Sequence, residues 1–182
     1  MKRSIFVCLV CCAVLSGCSS VSVRRDYDSS VDFSALKTVA WQHAGQPLTG
    51  NPRIDNDLID DRIRAAVARE LAKKGFVWVD QAEADFLVAY FLAYKQRGGF
   101  SSISFGVGGG SYGRYGGAGY NPRVSDPEEG VLTIDILNPA TNKNYWRGVG
   151  RRNSFEGNTP KKTTKIVNSA VADILAIFPP KE

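Results

Sequence analysis

Four cysteines and one histidine are the side chains of this 182-residue chain that are best suited to covalent or metal chemistry. Cys8, Cys11 and Cys12 lie together in a short apolar run, whereas Cys18 stands alone just beyond it. His43 lies in a segment rich in glycine and proline, with no second histidine to act beside it. Because a structural zinc site takes about four thiolate or imidazole ligands from the folded domain, this pattern predicts no metal site. Covalent chemistry at Cys18 is the stronger hypothesis.

Residues 1–17 have the organisation of an export signal. Lys2 and Arg3 precede an apolar run of 11 residues from Ile5 to Leu15. A secretory signal has a basic start, an apolar run of about 7–15 residues and small residues before the cleavage site. A transmembrane helix needs about 20 apolar residues, so this run is too short for one. The alternatives are an N-terminal anchor helix and an ordinary signal peptide with an incidental cysteine.

The sequence Leu15-Ser16-Gly17-Cys18 ends this run and resembles the bacterial lipobox. The resemblance implies that the Cys18 thiol receives a diacylglyceryl group and that the chain is cut between Gly17 and Cys18. The new amino group is then acylated as well, for example with palmitate, and two or more acyl chains give stable anchoring. Ser19 follows in place of the aspartate that commonly retains such lipoproteins at the inner membrane. The resemblance therefore implies an outer-membrane lipoprotein of a Gram-negative bacterium, facing the periplasm.

Cleavage leaves residues 18–20 as a short tether and residues 21–182 as one expected domain, which is long enough to bury a core. The mature chain then has no free thiol, because its one remaining cysteine, Cys18, carries the lipid. The loss of Lys2 and Arg3 lowers the formal net charge from +5 to +3. This mild charge argues against a nucleic-acid partner. We expect no cofactor besides the covalent lipid.

Apolar periodicity predicts an α+β domain, with a largely antiparallel sheet of about five to six strands and two helices packed on it. One helix is expected over residues 55–74, and a second begins after Asn158 or Thr159 and ends before Pro179. Residues 86–94 are apolar on both faces and carry four aromatics, which favours a central strand over the competing helix. The remaining strands are expected over residues 21–23, 37–41, 76–79, 131–137 and 145–150.

Local patterns add further expectations. Residues 26–30 predict a turn, and Asp135 and Arg147 are expected to pair across the last hairpin. Adjacent Asp60 and Asp61 predict a solvated acidic face on the first helix, and Ile166 and Ile177 belong to the predicted buried stripe of the second. Two interpretations of Arg24 and Arg25 stay open: contact with anionic headgroups or simple solvation on a strand.

A glycine-rich loop is expected over residues 98–123. It carries ten glycines within residues 98–119. Its alternating glycines fit a dinucleotide-binding pattern, but the helix that such a motif requires cannot follow in so glycine-rich a segment. The loop is either a long hairpin connection or a contact loop for a partner or the membrane interface. In the second case the contact residues are Phe100, Phe105, Tyr112, Arg114 and Tyr115.

The mature chain resembles the DUF4136 family of bacterial lipoproteins along nearly its whole length. The opening segment carries Tyr27-Asp28, then Asp32-Phe33-Ser34, then Lys37-Thr38-Val39-Ala40-Trp41. Later segments carry Ala84-Asp85-Phe86, Trp146-Arg147-Gly148 and Phe178-Pro179-Pro180. The resemblance implies an α+β fold with two helices on a sheet. It implies no catalytic residues, since the family is a domain of unknown function.

Together these patterns favour a non-enzymatic structural or interaction module, anchored to the membrane and able to contact an envelope protein. The alternative is a carrier or sensor of a lipid or other apolar ligand. Aromatic side chains either line a cavity for that ligand or fill the core: Trp41, Trp78, Tyr90, Phe91, Tyr94 and Trp146. An enzyme is disfavoured, because nothing in the spacing joins its polar candidates Asp135, Arg147 and His43.

Replacing Cys18 with serine tests the anchoring hypothesis. The Cys18→Ser precursor has no thiol to receive the diacylglyceryl group, so we expect it to be unlipidated, uncleaved and absent from the outer-membrane fraction. Membrane fractionation and intact-mass spectrometry measure both properties. Normal fractionation of the variant would contradict the hypothesis.

Overall fold

The computed structural model describes residues 21–96 and 128–180. The predicted cleavage site at Gly17 and Cys18 lies outside the described residues. So do the predicted contact residues of the glycine-rich loop, which are Phe100, Phe105, Tyr112, Arg114 and Tyr115. No helix in the two described ranges is long and apolar enough to cross a membrane.

A six-stranded sheet with two helices on one face forms the domain, which confirms the predicted α+β fold. The strand order is β1-β6-β5-β4-β2-β3. The strands are β1 (Ser22–Tyr27), β2 (Thr38–Trp41), β3 (Val77–Trp78), β4 (Phe86–Gln96), β5 (Glu128–Leu137) and β6 (Asn144–Arg152). The helices are α1 (Asp57–Lys73) and α2 (Pro160–Leu175), and a short 3₁₀ helix covers Gln81–Glu83.

Four strands form an antiparallel unit, which β2 and β3 extend in parallel. β1 pairs with β6, β6 with β5 and β5 with β4, all antiparallel. β2 pairs in parallel with both β4 and β3. Parallel pairing of β2 and β3 requires a crossover, which α1 supplies. The predicted central strand is confirmed as β4, and its Phe86, Leu87 and Val88 are buried in succession.

The predicted hairpin is confirmed as β5 and β6, whose register places Asp135 opposite Arg147. Alternate residues of β5, Leu132 and Ile134 among them, are fully buried. β1 is longer than predicted, because it continues through Tyr27 where the sequence predicts a turn. Pairing of Tyr27 with Trp146 of β6 outweighs the local turn preference.

Side-chain caps begin both helices. Asn56 accepts a hydrogen bond from the Ile59 N–H at 3.1 Å, and Thr159 accepts one from the Lys162 N–H at 3.2 Å. Such caps satisfy donors that have no partner inside the helix. Pro160 is the first residue of α2, where its missing N–H costs nothing.

The buried stripe of α2 differs from the predicted one. Val171 and Leu175 are fully buried, whereas Ile166 and Ile177 are half-buried. The difference arises because α2 contacts α1 as well as the sheet. The apolar surface that it must bury is therefore wider than a single stripe against the sheet.

The domain has two ends, named here by the first and last residues of β1. At the Ser22 end β1 begins, β4 ends, β5 begins and β6 ends, and both helices begin there. Ser22 pairs with Arg151 of β6, Arg151 pairs with Val131 of β5, and Val131 pairs with Ala93 of β4. These four residues therefore lie at the same level of the sheet. At the opposite Tyr27 end, β1 finishes beside Trp146 and both helices end.

Helix α2 lies very close to β6, and glycine makes this approach possible. A Cβ atom at Gly148 would lie 2.2 Å from Trp146 Cη2 and 2.6 Å from Ile174 Cγ2. At Gly150 it would lie 2.7 Å from Ile174 Cδ1. Real Cβ atoms do not approach so closely, so the Trp146 ring and Ile174 occupy space that only glycine leaves open.

The carboxylate of Asp85 fixes the start of β2 against the start of β4. One oxygen, Oδ2, accepts hydrogen bonds from the backbone N–H groups of Lys37 and Thr38, both at 2.8 Å. In the opposite direction, the Thr38 hydroxyl accepts a hydrogen bond from the Asp85 N–H at 2.9 Å. Hydrogen bonds from Thr38 and Lys37 hold the pKa of Asp85 below its usual range.

We expect Asp85→Ala to lower the free energy of unfolding by about 1 kcal/mol, because solvent screening weakens the lost bonds of this exposed carboxylate. The folded pKa lies below the unfolded value of about 3.9. The stabilisation is therefore present above that value and is lost as the pH falls through the folded pKa. Urea unfolding from pH 7 to pH 2 measures the difference. The control is Asp80→Ala, whose side chain caps nothing; an equal loss in both variants would contradict the assignment.

We expect Gly148→Ala to destabilise the domain by about 1–3 kcal/mol, because the new methyl group forces Trp146 and Ile174 out of their positions. Arg151→Ala in the same strand removes an exposed side chain and should change stability by less than about 0.5 kcal/mol. Thermal or urea unfolding compares the two variants. A Gly148→Ala protein as stable as the unmodified chain would show that α2 does not approach β6 this closely.

Candidate functional site

An open groove of about 490 Å³ lies at the Tyr27 end. The segment after β1 and the two prolines after α2 form its walls, although they are far apart in the chain. The lining residues are Tyr27, Ser29, Val31, Asp32, Phe33, Ser34, Pro179 and Pro180, and the name Tyr27 groove denotes this set. Binding clefts typically enclose about 300–1,000 Å³, so the groove has room for several side chains of a ligand.

Aromatic contacts join the Tyr27 groove to the core. The Tyr27 and Phe33 rings lie 6.0 Å apart at 79°, and the Phe33 and Phe178 rings lie 6.0 Å apart at 84°. Edge-to-face pairs of this kind contribute about 0.5–1.5 kcal/mol each beyond their burial. Phe178 is buried and contacts three further rings, those of Phe76, Phe86 and Trp146. The floor of the groove is therefore rigid, while Tyr27 itself is 40% exposed.

Two aspartates fold the segment after β1 into successive turns. Asp28 Oδ1 accepts hydrogen bonds from Ser30 N at 2.9 Å and Ser30 Oγ at 2.6 Å. Asp32 Oδ1 accepts from Ser34 in the same way, at 2.9 and 2.6 Å. The hydroxyl bonds, and then the N–H bonds, lower the pKa of each carboxyl below its usual range. Both carboxylates are therefore charged at neutral pH.

Tyr27 forms a ridge between the groove and a second depression. That depression encloses about 280 Å³ and is lined by Asp26, Asp28, Asn144, Tyr145, Trp146 and Arg147 together with Tyr27. Three carboxylates near the ring are exposed, those of Asp26, Asp28 and Asp32. Arg147 lies opposite Asp26 in the second depression, so Asp28 and Asp32 are the carboxylates that give the apolar ridge a negative rim.

Arg25 fixes β1 to the end of α2. Its Nη1 donates a hydrogen bond to the Ile177 carbonyl at 3.1 Å, and its Cζ lies 5.6 Å from the centre of the Tyr27 ring. A cation is stabilising at the C-terminal end of a helix. The headgroup interpretation of Arg25 therefore lacks support, because its guanidinium already binds within the domain. Arg24 is exposed on the opposite face of β1.

A smaller cavity of about 220 Å³, the His43 cavity, lies beside β4 beyond the end of β2. Gln42 N–H donates to the Val88 carbonyl at 3.0 Å. The Gln46 side chain bonds both backbone groups of Leu92: Nε2 donates to the carbonyl at 3.3 Å, and Oε1 accepts from the N–H at 2.7 Å. Residues 42–46 therefore follow β4 without forming a strand. The lining includes Trp41, His43, Arg64, Tyr90, Phe91 and Asp135.

Arg64 is the cationic side chain of the His43 cavity, and its guanidinium already binds neighbouring groups. Arg64 Cζ lies 4.1 Å from the centre of the Trp41 ring, and its Nη1 donates to the His43 carbonyl at 3.0 Å. The Trp41 ring also stacks on the Trp78 ring, with 5.1 Å between their centres. Cation–π contact and hydrogen bond together position Arg64.

Asp60 is not the simple solvated residue that the sequence predicts. The Tyr90 hydroxyl donates a short hydrogen bond to Asp60 Oδ1. Burial, and then Asp60, raise the pKa of Tyr90 above its usual value. No sequence pattern indicates this pair, because Tyr90 reaches α1 from the middle of β4.

The structure brings the three polar candidates partly together. Arg147 Nε and Nη2 donate to the two oxygens of Asp135 at 2.6 and 2.7 Å, which confirms the predicted pair. His43 and Asp135 both line the His43 cavity. Both oxygens of Asp135 are thus engaged in a bidentate ion pair with Arg147. Within residues 21–96 and 128–180 no cluster of His, Cys, Asp or Glu could hold a metal ion.

The aromatics of the carrier hypothesis do not surround one cavity. Trp146 is fully buried in the core. Tyr94 lies under Arg53, with 4.3 Å between the Arg53 Cζ and the ring centre, and its hydroxyl accepts a hydrogen bond from the Phe155 N–H at 3.1 Å. Three of the six, Trp41, Tyr90 and Phe91, line the His43 cavity, and its 220 Å³ is small for a lipid.

Comparison with known proteins gives a family and a fold. Residues 23–180 match the family DUF4136, described as a domain of unknown function. No curated protein matches the chain.

Among solved structures, a PDZ domain protein from Parabacteroides distasonis ATCC 8503 has a TM-score of 0.54 at 16% identity, covering 89% of this chain and 36% of that one. This chain thus spans about a third of that protein's length, and the likeness is one of fold. A PelC dodecamer from Paraburkholderia phytofirmans has a TM-score of 0.48 at 12% identity, covering 90% of this chain and 100% of that one.

Proposed function

We propose that this chain, which belongs to the DUF4136 family, is a non-enzymatic interaction module that binds a partner protein of the bacterial envelope through the Tyr27 groove. A lipid on Cys18 anchors it at the periplasmic face of the outer membrane. Its partner is a protein segment that presents an apolar side chain flanked by lysine or arginine.

One observation carries the proposal: three of the stretches that carry the family resemblance meet at the Tyr27 groove. Tyr27-Asp28 and Asp32-Phe33-Ser34 come from the start of the domain, and Pro179-Pro180 comes from its end. Residues from all three stretches line the groove or its rim. Core packing accounts for Phe178, which is buried, but not for the exposed ring of Tyr27.

The groove suits a protein ligand better than a small metabolite. It is open to solvent and combines two aromatic rings with two prolines, and aromatic anchors of this kind dominate protein interfaces. The carboxylates of Asp26, Asp28 and Asp32 lie around it and are exposed. Charged rims steer an oppositely charged partner and fix its orientation, which is why the partner segment is assigned basic residues.

The proposed anchor is joined to the end of the domain opposite to the groove. Cys18 is four residues before Ser22, the first residue of β1, whereas Tyr27 is the last residue of that strand. A groove that points away from the bilayer is accessible to proteins of the periplasm. The aromatics of the apolar-carrier alternative are spread between the core and the small His43 cavity, so that alternative receives less support.

A photo-crosslinking phenylalanine analogue at position 27, introduced in intact cells, tests the proposal. We expect one defined adduct whose crosslinked partner peptide contains lysine or arginine beside an apolar residue. Asp28→Asn with Asp32→Asn keeps the oxygen acceptors of both turns but removes the charge. We expect it to weaken the adduct by about two- to fivefold per carboxylate, as for exposed ion pairs.

Val77 is the control position, because it is 58% exposed at the same end of the domain but lies outside the groove. Adducts from position 77 that match those from position 27 would overturn the proposal. So would an adduct whose yield is unchanged when both aspartates are neutralised.

A further inference from the structure

We propose that the Ser22 end of the domain is a second membrane contact, at which Leu48 and Leu58 enter the headgroup region of the bilayer. This inference rests on the proposed lipid anchor at Cys18. It concerns how the folded domain is oriented on that anchor, which the lipid alone does not fix.

The length of the tether brings the Ser22 end to the membrane. Three residues, 19–21, separate Cys18 from Ser22. Fully extended, the chain spans about 13–14 Å between those two Cα atoms. Gln96 and Glu128, where β4 ends and β5 begins, lie three residues beyond Ala93 and Val131, which are level with Ser22. This is about 10 Å further toward the bilayer, so the end of the sheet spans much of the length of the tether.

Leu48 projects from this end of the domain. It is 86% exposed. The residues on either side are held firmly, because Gln46 bonds to Leu92 and Arg53 Nη1 bonds to Glu128 at 2.6 Å. Asp55 fixes the segment between them by accepting hydrogen bonds from Thr49 N at 2.9 Å and Gly50 N at 2.7 Å. Leu48 is thus an apolar side chain on a braced segment.

Leu58 lies in the first turn of α1 and is 66% exposed. Its carbonyl accepts a hydrogen bond from Arg62 Nη1 at 2.9 Å, and Arg62 Nε donates to Thr164 of α2 at 3.2 Å. Leu58 therefore lies one turn nearer the Ser22 end than this contact between the helices. Apolar side chains at one end of a helix pair suit the interface between headgroups and acyl chains.

The charges at this end are compatible with an anionic surface. Lys161, Lys162 and Lys165 in the first turns of α2 are exposed and form no ion pair among the described residues. Arg53 neutralises two carboxylates, since Nη1 and Nη2 each lie 2.6 Å from Glu128 and Glu156 respectively.

Asp57 and Asp61 flank Leu58 and are exposed. They oppose attraction to an anionic surface, so the lysines have to outweigh them.

Site-specific fluorescence on the lipidated protein tests the docked orientation. The Cys18 thiol is alkylated, so Leu48→Cys, Leu58→Cys and Val77→Cys each introduce one reactive thiol for an environment-sensitive dye. The labelled proteins are reconstituted into vesicles of phosphatidylethanolamine and phosphatidylglycerol that contain a headgroup nitroxide lipid. We expect roughly twofold or stronger quenching at positions 48 and 58 than at 77, since interfacial groups lie about 5–10 Å into the headgroup region.

Charge variants test the role of the lysines. Near an anionic surface, each lysine changes the affinity for that surface by about fivefold. We therefore expect the triple variant Lys161→Gln, Lys162→Gln, Lys165→Gln to reduce quenching at position 48. The matched control neutralises three cations of the Tyr27 end, Lys73, Lys74 and Lys143, and should leave it unchanged.

Vesicle flotation and the mass of the Cys18 terminus separate the two proposals. Protein that neither floats nor carries the lipid mass refutes the anchor, and with it this orientation. Lipidated protein that floats with equal quenching at positions 48, 58 and 77 refutes the orientation and leaves the anchor intact. Quenching that survives the lysine triple variant refutes the electrostatic contribution alone.

Discussion

The close approach of α2 to β6 is the constraint on which the rest of the domain depends. Glycines at positions 148 and 150 let Ile174 and the Trp146 ring fill the space where two Cβ atoms would lie. This packing buries Trp146 and Ile174 completely. It also sets the position at which α2 ends, and hence where Phe178 and the following prolines lie. Residues 19–182 contain no cysteine, so burial and not a disulfide holds this end of the domain together.

This packing explains why the two ends of the domain differ. Phe178 contacts Phe33 from within the core, and Phe33 positions Tyr27, so the Tyr27 groove forms only when α2 is seated on β6. At the other end, both helices and four strands present their termini and connecting segments. The glycine-rich loop predicted over residues 98–123 also leaves from and returns to this end, between Gln96 and Glu128.

Local features of the fold could be predicted from the sequence, and features that join distant segments could not. Caps at Asn56 and Thr159, the β4 strand and the Asp135–Arg147 pair all depend on short spacing, which sequence patterns record. The Tyr27 groove brings residue 27 beside residue 179, and no periodicity relates them. The Tyr90–Asp60 bond and the Gln46 contacts with Leu92 likewise depend on how a loop and a helix cross β4. The sequence shows the residue types of these contacts, but it does not show which residues are partners.

The side chain of Gln46 has a consequence for the solubility of the sheet. Because β2 ends at Trp41, one flank of β4 would otherwise offer unpaired N–H and C=O groups, which are a template for strand addition by another chain. The side-chain amide of Gln46 bonds both backbone groups of Leu92, donating to its carbonyl and accepting from its N–H. It thus replaces the peptide group that a neighbouring strand would supply. The terminal strand β3 has only two residues, and β1 carries Arg24, Arg25 and Asp26 along its length. Short and charged outer strands resist edge-to-edge aggregation, so both outer strands and the uncovered flank of β4 are protected against pairing with a second copy of the chain.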